Sequence, residues 1–436
     1  MRIFSVTQKL SNDLAGLENS DFYKFLNKAQ NQNFDVEKRA KEIIDEVKKN
    51  GDAALISYSN TFDKTNFSTA KDLIFSEKEI DNSEKLVDKK VASALKLAFA
   101  RIKKYHQKQL PKDFLFKDKE GVELGNCWRA VDCAGIYVPG GTASYPSSVL
   151  MSVVPALVCG VKEIAICAPT NAGKINPAVL FAAKICGVKK IYKIGGSQAI
   201  AALAYGTKTV KKVNKIVGPG NSYVACAKKI IFGEAGIDSI AGPSDITIIA
   251  QKNVISAAWV AADALSQLEH GVDSKAFIIT DSRVFAKEIL TEIATTKTKL
   301  PRQKIIEESL KNSAIFVLKN IDEASVLANF IAPEHLEIAT KNPKKFLPKI
   351  RNAGAIFLGN YTPETIGDYM AGPSHTLPTE GTAKFSSGLS VFDFLKRISL
   401  ISCDKNSFAK LAEATSILAA CEGLNAHKFS VEVRRK

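Results

Sequence analysis

No CxxC pair occurs among the eight cysteines of this chain, and most of them lie among Ala, Val and Ile. That pattern excludes a disulfide framework and the usual sulfur-rich metal sites, and it reads as reduced, buried thiols. Long apolar runs are missing too. The longest, Val149 to Val161, is broken by Ser152 and Pro155 and is too short to span a bilayer. The first thirty residues carry Asp13, Glu18 and Asp21 and no apolar leader segment, so no secretory signal, no membrane association and a cytoplasmic location are expected. Neither GxGxxG nor a P-loop is present, which removes the standard glycine signatures for nucleotides. Although the formal net charge is +15, the lysines form no single basic arm. Pairs such as Lys103-Lys104 and Lys344-Lys345 are spread along the chain and imply solvated faces, with no nucleic-acid partner expected. Histidine is the scarcest informative residue, five in 436.

What is present is a regular beat. Residues 35–110 read helical, with apolar spacing at Val36, Ala40, Ile43, Ile44 and Val47 and again at Val91, Ala94, Leu95 and Ala98. His106, in a Lys-rich helix, is expected to be exposed. From Gly135, short β-branched runs alternate with helical ones: strands at 136–138, 164–167, 191–194 and 213–217, then a second set at 245–250, 276–280, 314–318 and 355–358. Strands spaced this way, each followed by a helix, predict parallel sheets of βα units. The chain is expected to close with a helix over 408–421 and a basic, strand-like tail over 429–435. The fold class is α/β: two Rossmann-like parallel-sheet lobes with smaller helical terminal domains.

Four of the five histidines sit in polar motifs: His270 in Leu265-Ser-Gln-Leu-Glu-His-Gly271, His335 in Ala332-Pro-Glu-His335, His375 in the loop from Gly367, and His427 in Glu422-Gly-Leu-Asn-Ala-His427. Imidazole ligates metals and titrates nearest neutral pH, so a fold that gathers these motifs would make one site. Gln267 and His270 are three apart and would share a helix face as half of a zinc site; the alternative is that His270 simply caps the helix. Asp368 could add a carboxylate and His427 could complete a set of N and O ligands suited to Zn²⁺, Mn²⁺ or Co²⁺. Glu334 beside His335 pairs a carboxylate with an imidazole, a water-activating and proton-accepting couple, or a loop pair without chemistry. Three glycine turns, at 138–141, 194–198 and 217–221, each follow a strand and open a helix, where backbone N–H groups can meet a phosphate. Glycine is also what ordinary βα turns need. Among the thiols, Cys127 and Cys133 lie nearest polar residues, but only Arg129 is near enough to activate one, so a cysteine nucleophile is not expected.

Taken in order, Tyr137-Val-Pro-Gly-Gly-Thr142, Gly218-Pro-Gly-Asn221, Ala241-Gly-Pro-Ser244, Ser266–Gly271, Ala332–Leu336, Gly367-Asp-Tyr369 and Glu422–His427 resemble the histidinol dehydrogenase family. The resemblance implies a zinc-dependent homodimer with shared active sites that converts L-histidinol through a bound aldehyde to L-histidine with two NAD⁺. It implies zinc on Gln267, His270, Asp368 and, from the other subunit, His427. Substrate would meet Ser244, Gln267, His270, His335, Asp368, His375, Glu422 and His427, and NAD would meet Tyr137, Gln198 and Asn221. Glu334 and His335 would be the catalytic pair. The implied division is an N-terminal segment 1–25 packed with the terminal domains and a helical region 26–133 joined to the second lobe. Lobes over 134–244 and 245–384 follow, and a domain over 385–436 reaches the partner. Asp245, Ser374 and Lys384 depart from the family's usual glutamate, asparagine and arginine. Two alternatives carry different chemistry: a paralogue oxidising another alcohol such as sulfopropanediol, and a metal hydrolase using Glu334 and His335.

Overall fold

A computed structural model describes residues 1–7, 10, 18, 20–27, 34–140 and 145–435. Gly141 and Thr142 of the first glycine turn lie outside the described residues. Strand β1 (Arg2–Val6) and helix α1 (Asp21–Leu26) are followed by four helices: α2 (Phe34–Asn50), α3 (Asp52–Phe62), α4 (Glu77–Leu86) and α5 (Lys89–Gln109). Strands β2 (Phe114–Lys117) and β3 (Glu123–Ala130) come next. The first lobe comprises β4 (Cys133–Tyr137), α6 (Pro146–Cys159), β5 (Glu163–Cys167), α7 (Pro177–Ile185), β6 (Lys190–Tyr192), α8 (Gly196–Tyr205), β7 (Lys215–Val217), α9 (Ser222–Ile231) and β8 (Gly236–Ile237). The second comprises β9 (Asp245–Ala250), α10 (Ala257–Leu268), β10 (Lys275–Thr280), α11 (Arg283–Lys297), α12 (Gln303–Ser309), β11 (Ala314–Leu318), α13 (Ala324–Ile331), β12 (His335–Ala339), β13 (Ala355–Leu358) and α14 (Glu364–Ile366). Strand β14 (Leu395–Ser402), α15 (Lys405–Cys421) and α16 (Asn425–Glu432) end the chain.

Both lobes are wound alike, as the βα beat predicts. The first sheet runs β6-β5-β4-β7-β8 and the second β1-β11-β10-β9-β12-β13, every pairing parallel. In each, the chain starts mid-sheet, builds outward, then returns to the other side of its first strand. The strand order therefore reverses between β4 and β7 and between β9 and β12, the places where such sheets open a crevice. Helices cover both faces, so the central strands are largely apolar, and in β9 all six residues are buried.

Four expectations are corrected by the structure. The helical region over 26–133 joins the first lobe, not the second. The stripe Ile43, Ile44 and Val47 of α2 lies in one face of the first sheet, and Leu95, Ala98 and Ile102 of α5 lie in the other. The same stripe carries His106 inward: it is fully buried, its Nδ1 lies 2.7 Å from Gln109 Oε1, and burial lowers its pKa. The N-terminal segment packs on the second lobe, where β1 extends the sheet beside β11 and Val6, Leu10 and Phe22 enter its core. The 429–435 tail is helical from Asn425 to Glu432, since Gly423 (φ +74°) starts a new direction and Lys428 pairs with Glu432 one turn on.

Strands β2, β3 and β14 were not anticipated. They form an antiparallel sheet that ties residues 395–402 to 114–130. Its outer strands display Phe114, Leu115, Phe116, Ile398, Leu400 and Ile401 to solvent, an apolar surface of the kind that marks an interaction face. Among the described residues, no helix is long and apolar enough to cross a membrane.

Candidate active site

His335 opens β12, and strand alternation puts it on the same face as Glu337 while Leu336 and Ile338 point into the core. The turn before it is set by Ala332, whose left-handed backbone (φ +52°) ends α13. Glu334 lies in that turn and faces β9: its carboxylate accepts the Asp245 N–H at 3.1 Å, and its own N–H donates to the Asp245 carboxylate at 3.3 Å. Both Glu334 and His335 are buried. The imidazole sits among acids. Its Nδ1 is 3.3 Å from the Asp245 carbonyl, 3.4 Å from Glu364 Oε2 and 3.9 Å from Glu334 Oε2, and its Nε2 is 3.5 Å from Asp368 Oδ1. Nε2 has no hydrogen-bond partner. With Nδ1 occupied on the protein side, Nε2 is the nitrogen left to exchange a proton.

The electrostatics follow from that crowding. Burial disfavours the imidazolium of His335, but the carboxylates of Glu334, Glu364 and Asp368 outweigh it and hold the pKa well above the usual value. Burial raises Glu334 to about 8, its attraction to His335 only partly offsetting that. Burial likewise raises Glu364 to about 7 and Asp245 to about 6. Asp368 is the exception. Burial works against its charge, yet His335, His375 and His270 bring its pKa below the ordinary carboxylate range, so it is the anion of the group.

Asp368 lies in a single π-helical turn, Gly367–Ala371, a rare geometry that recurs at functional sites. The Arg101 guanidinium of α5 clamps this turn by donating to the Met370 and Ala371 carbonyls. His375 bridges the lobes: its Nδ1 is 3.1 Å from the Asp368 carbonyl and its Nε2 is 3.1 Å from Ser148 Oγ at the start of α6. Helix α10 stops at Leu268, so His270 lies in the turn beyond it and does not share a helical face with Gln267. His270 is exposed at the rim, near enough to Asp368 and His335 to sense their charge, and its desolvation lowers its pKa. Gln267 is buried with both amide atoms unpartnered, an unusual and costly state for a native side chain. The neighbouring Ser266 hydroxyl donates to Glu364 at 2.9 Å.

The two lobes meet here by opposite edges. The first offers the carboxyl end of β4 and the start of α6. The second offers the amino ends of β9 and β12, where Asp245, Glu334 and His335 lie. On the first lobe, the Tyr137 hydroxyl is buried and accepts the Gly196 N–H at 3.1 Å, propping the Gly195-Gly196 turn from below. Gln198 follows on α8, buried, with its carbonyl oxygen unpartnered. Asn221 caps α9 by accepting the Val224 N–H at 3.2 Å. A buried Lys228–Asp238 ion pair holds the turn between β7 and α9: Asp238 accepts the Gly218 N–H at 2.8 Å and Lys228 donates to the Gly218 carbonyl at 3.1 Å.

Gly218 itself (φ +120°) would carry a Cβ 2.1 Å from the Tyr137 carbonyl oxygen. Gly218→Ala is therefore expected to lower stability by about 2–4 kcal/mol. Gly233→Ala shares the backbone cost (φ +112°) but has open space around it and is expected to cost about 1 kcal/mol. Denaturant titration of both measures the steric part, and equal losses would show that close approach to β4 is not what requires glycine.

Glu422 and His427 do not join this cluster. Both are exposed, at the end of α15 and on α16, beside Leu418, Leu424 and Phe429, which are exposed as well. Ser244 lies just before β9, half-buried, its carbonyl accepting the Lys275 N–H at 3.1 Å. Asp245, one of the three departures, is inside the site. Ser374 is buried, its hydroxyl accepting the Thr376 N–H, and Lys384 lies over the Phe330 ring at 5.3 Å. Glu364 and Ser148 carry no signal in the sequence, since neither sits in a histidine motif, and Asp245 shows there only as a departure from the family's usual glutamate. Only the fold brings Glu364 beside β12, where its N–H donates to the Glu337 carboxylate at 2.7 Å. All eight cysteines are free, and burial pushes the Cys159 and Cys186 thiols to about 12, which leaves them unreactive.

The family model for histidinol dehydrogenase matches residues 26–435. This chain belongs to the histidinol dehydrogenase family. It is 48% identical over 416 residues to the histidinol dehydrogenase of Rhodopseudomonas palustris, covering 95% of this chain and 96% of that one. With the enzyme of Rhizobium meliloti it shares 48% over 415 residues, covering 95% of each. The crystal structure of histidinol dehydrogenase from Elizabethkingia anophelis superposes with a TM-score of 0.92 at 35% identity, covering 99% of this chain and 98% of that one. The resemblance seen in the motifs thus extends to almost the whole chain, and the α/β fold of two parallel-sheet lobes is shared. The chain is an oxidoreductase of this family.

Proposed function

We propose that the chain oxidises L-histidinol to L-histidine in two NAD⁺-dependent steps, with a zinc ion in a site completed by a second subunit. The observation that carries this reading is the buried Glu334–His335 pair, with His335 Nε2 unpartnered beside an ionised Asp368. Zinc fits the residues in kind. Gln267 has a buried, unpartnered amide oxygen, Asp368 is ionised, and His270 is held neutral by its surroundings, which are the forms that ligate a metal. Among the described residues, no three His, Cys, Asp or Glu side chains form a metal group by themselves. Such an incomplete set suits a site whose remaining ligand, His427, comes from the partner subunit. The bound metal would supply a template that fixes the substrate's imidazole and amine.

NAD fits the first lobe. Its carboxyl edge carries glycine turns whose backbones pass close to Pro169, since a Cβ at Gly140 or Gly195 would lie 2.5 Å from that ring. Tyr137 and Asn221 brace those turns, and the unpartnered Gln198 oxygen is available to a ligand. The cofactor supplies a hydride acceptor twice.

In its neutral form, His335 takes the alcohol proton at Nε2 as the carbinol hydride leaves, giving the aldehyde. Glu334, as the carboxylate, takes a proton from water as the oxygen adds to that aldehyde. His335 then takes the hydrate's hydroxyl proton as the second hydride leaves. One histidinol, two NAD⁺ and one water thus give histidine, two NADH and protons. Ser244, His375 and, from the partner subunit, Glu422 border the substrate. Closure between two lobe edges keeps water access controlled while the aldehyde is held.

The test is stoichiometric. Purified protein with zinc, limiting L-histidinol and excess NAD⁺ is expected to form two NADH per histidinol, with histidine as product. One NADH per molecule, or none, would overturn the reading in favour of another alcohol.

A further inference from the structure

Glu364 and Asp368 face opposite nitrogens of one imidazole. Glu364 Oε2 lies 3.4 Å from His335 Nδ1, and Asp368 Oδ1 lies 3.5 Å from Nε2. Between the two acids the chain passes from the short helix α14 into the π-helical turn Gly367–Ala371. A π turn holds one residue more than the α-helical repeat. Its relaxation to α would rotate side chains within it by up to about 100° and carry Asp368 away from Nε2. The position of this acid therefore depends on what keeps the turn in its rarer form.

Support comes from the other lobe. Arg101 of α5 is exposed, yet its guanidinium reaches across the lobe boundary. It donates from Nε to the Met370 carbonyl and from Nη2 to the Ala371 carbonyl at 3.4 Å. These are the last two carbonyls of the turn, and no continuing helix satisfies them, because Gly372 (φ +124°) leads the chain away. At that glycine an added Cβ would lie 3.0 Å from Tyr105 Cβ, so α5 and the turn approach closely. The packing beside this contact is incomplete. A cavity of about 170 Å³ is lined by Leu95 and Ala98 of α5, Leu150 and Met151 of α6, and Tyr369 and Met370 of the turn itself. That is several water volumes, so apolar contact leaves the turn room to move and hydrogen bonds must fix its shape. We propose that Arg101 is the positioning residue for Asp368: its two hydrogen bonds across the lobe boundary keep the π turn closed and hold the Asp368 carboxylate beside His335. A helix of the first lobe thus sets the geometry of an acid in the second. The planar guanidinium fork suits two neighbouring carbonyls, which a lysine ammonium meets singly. The consequence for zinc rests on the ligand role proposed above for Asp368.

Two measurements on the whole chain test this, with Arg101→Ala and Arg101→Lys beside the parent. Zinc affinity, read by competition with a chromophoric chelator, is expected to fall about 10- to 100-fold in Arg101→Ala, the usual effect of removing a partner that orients a metal site. Arg101→Lys should lose less. NAD⁺ affinity and the melting temperature of the zinc-free protein should stay near the parent's. Hydrogen exchange of the zinc-free protein reads the turn itself: amides from 367 to 375 should exchange faster in Arg101→Ala, while those of the Gly218 turn keep the parent's rate. Unchanged zinc affinity in folded Arg101→Ala would overturn the positioning role, and so would a matching loss of NAD⁺ affinity, which would make Arg101 a general structural residue. Unchanged exchange at 367–375 would overturn the hold on the turn. A parent that binds no zinc would overturn the ligand reading of Asp368, and hydrogen exchange would then decide the hold on the turn by itself. If Arg101→Ala does not fold, Arg101→Lys is read in the same two ways.

Discussion

His335→Asn is expected to lower the rate of both oxidations by about 10²- to 10⁴-fold, the usual contribution of a positioned proton acceptor, with little change in the affinity for NAD⁺. Asparagine keeps a polar group near the Asp245 carbonyl but cannot take a proton at the Nε2 position. Glu334→Gln separates the two steps. Histidinol should still be oxidised to the aldehyde, and conversion of supplied aldehyde should fall by a comparable factor. Single-turnover measurement of NADH on each substrate reads the difference, and equal losses on both would show that Glu334 serves the pair structurally rather than activating water.

The same variant has a pH signature. Burial raises Glu334 from its ordinary 4.5 to about 8. Between those values the folded protein keeps a proton that the unfolded chain has released, so this group's contribution to stability declines as pH rises through the window. Glu334→Gln removes that decline and should melt higher than the parent at pH 9, with the two converging toward pH 5. If the carboxylate is the base, as proposed, the aldehyde step of the parent should accelerate with pH up to about 8 and then level. A flat profile would remove Glu334 from that step.

Mixing two inactive variants is expected to restore activity. On the proposed shared zinc site, His427→Ala would lack a ligand donated to the partner and Asp368→Ala one used at home, so neither homodimer would have a complete site. Random reassociation makes half the dimers mixed, and each mixed dimer has one complete site of two, giving about a quarter of parental activity. The arrangement motivates this directly: His427 and Glu422 stand exposed, among the uncovered side chains Leu418, Leu424 and Phe429. The open apolar faces of β2 and β14 supply further surface for a partner. No recovery in mixed dimers verified by mass would place His427 outside the site.

The βα alternation, the parallel sheets and the histidine motifs could all be read from the chain, because parallel strands buried on both faces must be apolar and glycine must stand where backbones approach. The strands at Ala314–Leu318 and Ala355–Leu358 appear as their composition predicts. Other features had no local signal. Phe114–Lys117 and Leu395–Ser402 pair only through β3, so neither reads as a strand alone. His106 looked solvated among lysines but follows Leu95, Ala98 and Ile102 into the core.

At the active site, the sequence by itself determined which side chains are available: Glu334 beside His335, Asp368 in its glycine-flanked loop, Gln267 near His270. Tertiary structure alone decided their environment. It brought the amino edge of one sheet against the carboxyl edge of the other, placed Glu364 and Asp245 against His335, and buried Glu334 and His335. Protonation states depend on that desolvation and on charges a few ångströms away through space, and neither quantity is a property of neighbours along a chain.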